Sequence, residues 1–323
     1  FFVLYISVTQ GMRSIISLIN KGYLNVSLDS RKLENLIYEK RLLVKGAKIV
    51  AIGGGTGLST MLRGLKYYTS NVTAVVTVAD DGGGSGDLRD DLGILPPGDI
   101  RNCILALADT EPLMEDLLQY RFTEGKLKNQ SFGNLFLAAM DGISNNFEEA
   151  VQKMSSVLAV TGKVMPVTLD NIVLKAKLKN GSIVEGESNI PKEAIASGTS
   201  IEKVFIEPRN AKALKEAVEA IEEADAIILG PGSLYTSVIP NLLIKDITNA
   251  IQKSDAIKLY VSNIMTQNGE TDGYDVGDHL RAIIKHTSQG IVDYAVVNVG
   301  KIGDELEEKY RENGSELVKC NEE

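Results

Sequence analysis

The sequence predicts an α/β protein built on a doubly wound, mostly parallel Rossmann-like sheet with a small antiparallel β insertion. Three observations carry that expectation. Short β-branched apolar runs alternate with stretches of helical period, as in strands joined by crossover helices. Three of those runs end in clusters of small and polar residues: Gly53 to Gly57, Asp80 to Ser85, and Gly230 to Ser233. Between about residues 164 and 206 the pattern becomes apolar–polar alternation around Asn180-Gly181, a two-residue hairpin signal.

At 323 residues the chain is long enough to bury a sizeable core, and 44% hydrophobic with 24% charged residues is ordinary for a water-soluble protein. A net charge of −9 argues against nucleic acid as a partner, because such surfaces concentrate Lys and Arg. An anionic ligand must then be held locally. The two cysteines, Cys103 and Cys320, give neither a disulfide framework nor a thiolate metal site, so a reducing cytoplasm is the natural setting.

Residues 1–46 form an N-terminal extension to the domain of residues 47–323. It opens FFVLYISV without an initiating Met, which reads as a processed or partial chain. Eight apolar residues fall short of the roughly 20 that span a bilayer. They read as the tail of a membrane span, which would make the extension membrane-proximal, or as a hydrophobic strand or tether. LENLIYEKRLL from Leu33 has the pattern of an amphipathic helix.

The domain begins with KIVAI running into Gly53, Gly54, Gly55, Thr56 and Gly57, followed by apolar positions Leu58, Met61, Leu62 and Leu65. This is a strand, a glycine turn and a helix. The glycines let a bound group approach the backbone, and the helix N-terminus favours a phosphate. The same glycines can equally serve close packing alone. VTAVVTVA from Val72 completes a β-α-β unit, and Asp80 to Asp99 reads as a long functional loop without apolar period. Asp99 can cap a helix starting at Ile100, Pro112 suits the first turn of another, and Ser131, Phe132, Gly133 and Asn134 precede the helix LFLAAM. After the insertion, a helix over Ala211 to Ala224 and strand AIIL restore the parallel pattern. Gly230, Pro231, Gly232 and Ser233 then repeat the strand-to-helix logic of the first turn. Strand IKLYVS, the polar loop from Asn263 and strand VDYAVVN finish the alternation. Ligands in such sheets bind outside the carboxyl ends of the strands.

Asp80 and Asp81 are candidates for a catalytic pair, with Asp81 the candidate Mg²⁺ ligand beside a phosphate, since Mg²⁺ is held by one or two carboxylates plus phosphate oxygens. Loop solvation or helix capping is the plainer role for either one. Arg89 and Arg101 suit a phosphate, or can pair instead with Asp87, Asp90 or Asp91. A nicotinamide dinucleotide would use Asp80 on its ribose, but that residue stands further from Gly53 than the usual spacing of about 20. NAD(P) is therefore the weaker fit. His279 and His286 share a helix face without a third metal-type ligand, and Ser233 is not in a G-x-S-x-G elbow, which sets esterase chemistry aside.

Taken together, IGGGTGLSTMLRGLK, TVADDGGGSGDLRDD, PPGDIRNCILAL and GPGSLYTSVIPNLL resemble the gluconeogenesis factor family, the YvcK-like branch of the CofD-like proteins. The resemblance spans Lys48 to about Tyr310. It implies a ligand site that draws on Gly82, Gly83 and Ser85, on Gly98, Asp99, Arg101 and Asn102, on Gly133 and Asn134, and on Asn263. The CofD branch, in which the enzyme is 2-phospho-L-lactate transferase, moves a phospholactyl group to a deazaflavin with Mg²⁺. The YvcK-like branch is associated with UDP-sugar binding, cell shape and growth on gluconeogenic carbon sources, without a settled reaction. The wording of LYTSVIPNLL and MTQNGETDGY favours a regulatory, nucleotide-sugar-binding protein over a transferase. Cell-wall synthesis proteins as partners and a homodimer are further expectations. Two departures stand out. Gly84 replaces a serine of the family's D-D-G-G-S-S-G loop, which predicts a looser loop, and the chain stops at Glu323 where the family implies further C-terminal structure.

Overall fold

Ile49–Gly53 (β1) is buried almost throughout, as a central strand covered by helices on both faces should be. The computed structural model describes Tyr38 and residues 41–320. The chain divides into two units at Gly46 and Ala47, and every element below belongs to the second. Chain order runs from β1 through α1 (Gly55–Leu65), β2 (Val72–Val76), α2 (Gly83–Leu92), α3 (Gly98–Leu107), α4 (Pro112–Gln119), α5 (Phe132–Gly142) and α6 (Phe147–Val157) to β3 (Lys163–Pro166). There follow β4 (Val173–Leu178), β5 (Ile183–Glu185), α7 (Ile190–Ala196), β6 (Ile201–Glu207), α8 (Lys215–Glu222) and β7 (Ala226–Leu229). A π-helical turn over Leu234–Val238 leads to α9 (Ile239–Leu242), α10 (Lys245–Lys253), β8 (Ile257–Val261), α11 (Val276–His286), β9 (Tyr294–Val296) and α12 (Asp304–Glu312).

The main sheet has the order β3-β2-β1-β7-β8-β9, and every pairing in it is parallel. The chain winds outward from β1 to β3 and returns to β7 on the other side of β1. The order therefore reverses between β1 and β7, and a crevice opens outside their carboxyl ends. Opposite partners such as Ala51 with Ala74 and with Ile228 fix the register there.

The β-rich stretch expected over about 164–206 divides in two. Lys163–Pro166 is the edge strand of the parallel sheet, and the antiparallel sheet, order β5-β4-β6, occupies Val173 to Glu207. In β4, Leu174, Ala176 and Leu178 face inward, while Lys175 pairs with Glu185 and Glu207 outside. The hairpin forms at Asn180-Gly181, with Gly181 at φ +92° and the Asn180 side chain accepting from the Ser182 amide.

Asp80 to Asp99 is not an irregular loop, because Gly83–Leu92 is helical. Glycine disfavours helices by about 1 kcal/mol each, and tertiary contact overrides that here. A side chain on Gly84 would lie 2.7 Å from the Gln130 Oε1, and one on Gly86 would lie 2.1 Å from the Asp81 carbonyl oxygen. Gly84 thus lets α2 seat closely rather than loosening it. The expectations for FFVLYISV and for most of the helix from Leu33 lie outside the described residues. Among the described residues no helix is long and apolar enough to cross a membrane.

Candidate functional site

Two glycine turns meet at the switch point and hold each other in place. A Cβ on Gly57 would sit 2.9 Å from the carbonyl oxygen of Pro231, and one on Gly232 would sit 2.9 Å from that of Gly54. Gly54 itself has no room, since its Cβ would meet Asp99 Oδ2 and Thr77 Cγ2 at 2.5 Å each. Gly55 takes φ +69°, a left-handed conformation that favours glycine. Gly53 and Gly230 bring the two strand ends together, with a Cβ on Gly53 meeting the Gly230 Cα at 3.6 Å. Asn263, beyond β8, accepts from the Gly232 amide at 3.3 Å, and Ser233 donates to Gln267 at 2.5 Å.

The wall after β7 is the π-helical turn. Val238 donates to the Ser233 carbonyl at 3.0 Å, an i to i+5 bond, and Pro240 has no N–H to offer the Thr236 carbonyl, so an ordinary α turn cannot run through. Buried Asn241 ties this turn to β1, its amide donating to the Ser237 carbonyl at 2.8 Å and the Gly53 carbonyl at 3.3 Å.

The resulting crevice of about 250 Å³ is lined by Gly55, Thr56 and Gly57 from the first turn and by Gly232, Ser233, Thr236 and Ser237 from the second. Thr77, Asp80, Asp99 and Glu187 complete it. Three strand ends that are far apart in sequence therefore converge on one site.

Its electrostatics are set by carboxylates. Burial pushes Asp99 up to about 6, with the charge of Asp80 adding, while the Gly55 amide donates to it and opposes the rise. Asp99 thus bridges to the glycine turn instead of capping α3, which begins at Gly98 after Pro97. Burial also raises Asp80, against hydrogen bonds from the Gly82 amide and Ser85. Burial and then the charge of Asp80 raise Glu187 to about 8. Behind it, burial raises Glu270 to about 7. Glu270 accepts from Gln267 Nε2 at 2.7 Å, Thr236 Oγ1 at 3.1 Å and the Tyr235 amide at 3.3 Å. The Thr236 hydroxyl lies against both Glu187 and Glu270. It has one proton to donate, so the second carboxyl is best satisfied by holding a proton of its own.

Asp81, the expected metal ligand, turns the other way. It accepts from the Ser188 amide at 2.9 Å, and a side chain on Gly186 would meet its Oδ2 at 2.5 Å, so it seats the insertion rather than lining the crevice. Arg89 is likewise a clamp: it donates to the carbonyls of Ile172 at 2.6 Å and Asp80 at 3.4 Å, and to Asn171. Arg101 is buried beside α5, donating to Ser131 at 2.8 Å and Asn102 at 2.6 Å, with its stem where a Gly133 side chain would be. Asn134 donates its amide to the Ser131 cap, and among the described residues its buried Oδ1 has no partner. Gly98 lies against Ser85 and Asp80, Gly82 precedes α2, and Gly83 is exposed at its start with φ +48°. Of the expected site residues outside the two glycine turns, the crevice is lined only by Asp80 and Asp99. Glu187, Glu270, Thr77 and the Thr236–Ser237 wall were not singled out from sequence. Each is a common residue type in an unremarkable local pattern, and only the topology brings them together.

The donor set suits a hard cation. Asp80 and Asp99 are half-buried, mutually repelling carboxylates, and among the described residues no Lys or Arg lines the crevice. Two carboxylates plus phosphate oxygens satisfy Mg²⁺. Among the described residues no group of three or more His, Cys, Asp or Glu is arranged to hold a metal unaided. When bound, Mg²⁺ would neutralise phosphate charge here, and Asp80 and Asp99 are the residues that would hold it.

A parallel sheet of this order, with glycine turns and carboxylates at its switch point, defines a doubly wound α/β protein. The family model for CofD, described as 2-phospho-L-lactate transferase, matches residues 49–323. The chain belongs to the CofD family, in its gluconeogenesis factor branch. A relative from Clostridium acetobutylicum, named for that branch, is 79% identical over 318 residues, covering 98% of this chain and 70% of the relative. The gluconeogenesis factor of Bacillus subtilis is 50% identical over 264 residues, covering 81% of this chain and 82% of its own. The crystal structure of a UPF0052 family member from Bacillus halodurans is similar with a TM-score of 0.83 at 50% identity, covering 86% of this chain and 88% of that one.

Proposed function

We propose that this chain is a regulatory protein that binds a nucleotide-sugar, such as a UDP-sugar, in the switch-point crevice and relays its level to cell shape and wall synthesis during gluconeogenic growth. The relatives' shared name, gluconeogenesis factor, supports the physiological half of that reading. The observation that carries the binding half is the reciprocal packing of the two glycine turns. It leaves the backbone of Gly55 to Gly57 and the N-terminus of α1 open to a diphosphate. Asp80 and Asp99 would share a Mg²⁺ with that diphosphate, which offsets the repulsion between the phosphates and the acidic wall. Partner proteins of wall synthesis and a homodimer belong to the same proposal.

The pairing of Asp80 with Asp99 also favours a second reading, a Mg²⁺-dependent transferase of phospholactyl or related groups. Calorimetry with UDP-sugars, with and without Mg²⁺, followed by mass analysis of the same mixtures, separates the two. Saturable binding with the ligand recovered intact supports the regulatory protein. Mg²⁺-dependent consumption of a donor supports the transferase, and no binding sinks both.

A further inference from the structure

Apart from the crevice, the chain carries a second cavity whose chemistry is its opposite. A hollow of about 480 Å³ lies between β6, the α9–α10 junction and the C-terminal end of α11. Among the described residues, four cationic side chains line it, Lys203, Arg209, Lys245 and Lys285, and no carboxylate does. In a chain of net charge −9 this is a local reversal of sign. The acids on β6 and α10 are already paired: Glu202 with Lys177 at 2.7 Å, though it also feels the charges of Lys203 and Lys285, Glu207 with Lys175 at 2.6 Å, and Asp246 with the Ala213 amide at 3.3 Å and Lys212 at 3.7 Å. Lys285 is partly fixed, donating to the Glu202 carbonyl at 2.6 Å.

The rest of the lining is built rather than incidental. Arg209 lies over the Phe205 ring at 5.2 Å, which holds its guanidinium over the cavity wall. Leu242, Leu243 and Ile206 give an apolar floor. His286 has both ring nitrogens committed, Nδ1–H donating to the Ala282 carbonyl at 2.7 Å and Nε2 accepting from the Val204 amide at 3.0 Å. It is a rigid neutral wall, not a mobile cation. The edge of that wall touches Tyr235, ring to ring at 5.9 Å, one residue before the crevice-lining Thr236. The hollow therefore sits behind the crevice, with the π-helical turn between them.

We propose that this hollow is a second ligand site, taking a small phosphorylated molecule that carries an apolar or ring portion, separate from the nucleotide-sugar crevice. Its volume falls in the range of small-molecule sites, its floor matches a ring, and its four cations suit a phosphate with two negative charges. The crevice would need a metal to accept the same anion. This site would not.

Inorganic pyrophosphate in metal-free buffer with chelator is therefore the discriminating probe, followed by calorimetry on the whole chain. The expected result is one saturable site that weakens with salt. It should weaken about 10- to 100-fold in the double variant Lys203→Glu, Lys245→Glu, as loss of charged hydrogen bonds implies. The crevice variant Ser237→Ala should bind pyrophosphate as the parent does. If the double variant melts early, Arg209→Gln alone carries the same direction of effect. Equal affinity in the charge variants, loss in Ser237→Ala instead, or no saturable heat at millimolar pyrophosphate would overturn the proposal. None of these outcomes bears on UDP-sugar binding in the presence of Mg²⁺, which is measured separately.

Discussion

Asp99 is the residue on which the crevice's pH response turns. With its carboxyl raised to about 6, it is largely protonated below that pH and a poor metal ligand there. Affinity for a Mg²⁺–nucleotide complex should therefore fall as pH drops through about 6, with a separate change toward pH 8 as Glu187, raised to about 8 on the same wall, ionises. Calorimetry from pH 5 to 8 checks this, and Asp99→Asn should bind weakly and lose the step near 6. Glu270 makes a prediction about stability, and here the sign runs against the usual carboxylate case. Its pKa is about 7 in the fold against 4.5 for the free group, so the fold binds the extra proton. The penalty for ionising it is absent below about 4.5, grows between the two values and is complete above about 7. Glu270→Gln, which mimics the neutral acid, should raise stability at pH 8 by on the order of 1–3 kcal/mol and do nothing near pH 4.5. Thermal melts at the two pH values decide it, and equal shifts at both would place the effect in packing instead.

At the scale of elements, the two turns explain what glycine does better than either turn alone. In the sequence, Gly57 belongs to a turn whose glycines let a bound group approach the backbone. The structure adds that its Cβ would press on the Pro231 carbonyl oxygen at 2.9 Å, backbone that cannot swing aside. Gly57→Ala should accordingly lower stability by about 1–3 kcal/mol, in the range of overpacking, as well as weaken ligand binding. A variant that melts like the parent but fails to bind would return the residue to the simpler role. This contact also marks where the sequence stops being legible. Strands and glycine turns could be read because β-branched runs and small-residue clusters are local signals, and the hairpin at Asn180-Gly181 is another. Helix α2 could not, because its Gly84 and Gly86 are chosen by Gln130 and the Asp81 backbone, contacts that no local propensity reports. Glu187 was hidden for a similar reason: it arrives at the crevice from the turn between β5 and α7 of the insertion, and the same insertion draws Asp81 away from it.

For the molecule as a whole, the crevice is a joint product of the parallel sheet and the antiparallel insertion, and Arg89 is one of the ties between them. Its guanidinium reaches from α2 to the carbonyl of Ile172, to Asn171 and to the Asp80 carbonyl, so it fixes the root of β4 against the end of the β2 segment. Ligand that binds only the folded chain stabilises it by about 2.7 kcal/mol at a hundredfold excess over Kd. At an unfolding entropy of about 2.1 cal/mol/K per residue, that is a rise in melting temperature of roughly 4–5 °C for a protein of this size. A UDP-sugar with Mg²⁺ should produce that rise in the parent and be recovered unchanged by mass. Arg89→Ala should lower the melting temperature without ligand, because hydrogen bonds to a charged group contribute about 1.5–3 kcal/mol. It should also shrink the ligand-induced rise, because Glu187 is no longer held over the crevice. A rise of the same size in Arg89→Ala, at the same ligand concentration, would mean that the insertion takes no part in binding and that the parallel sheet alone forms the site.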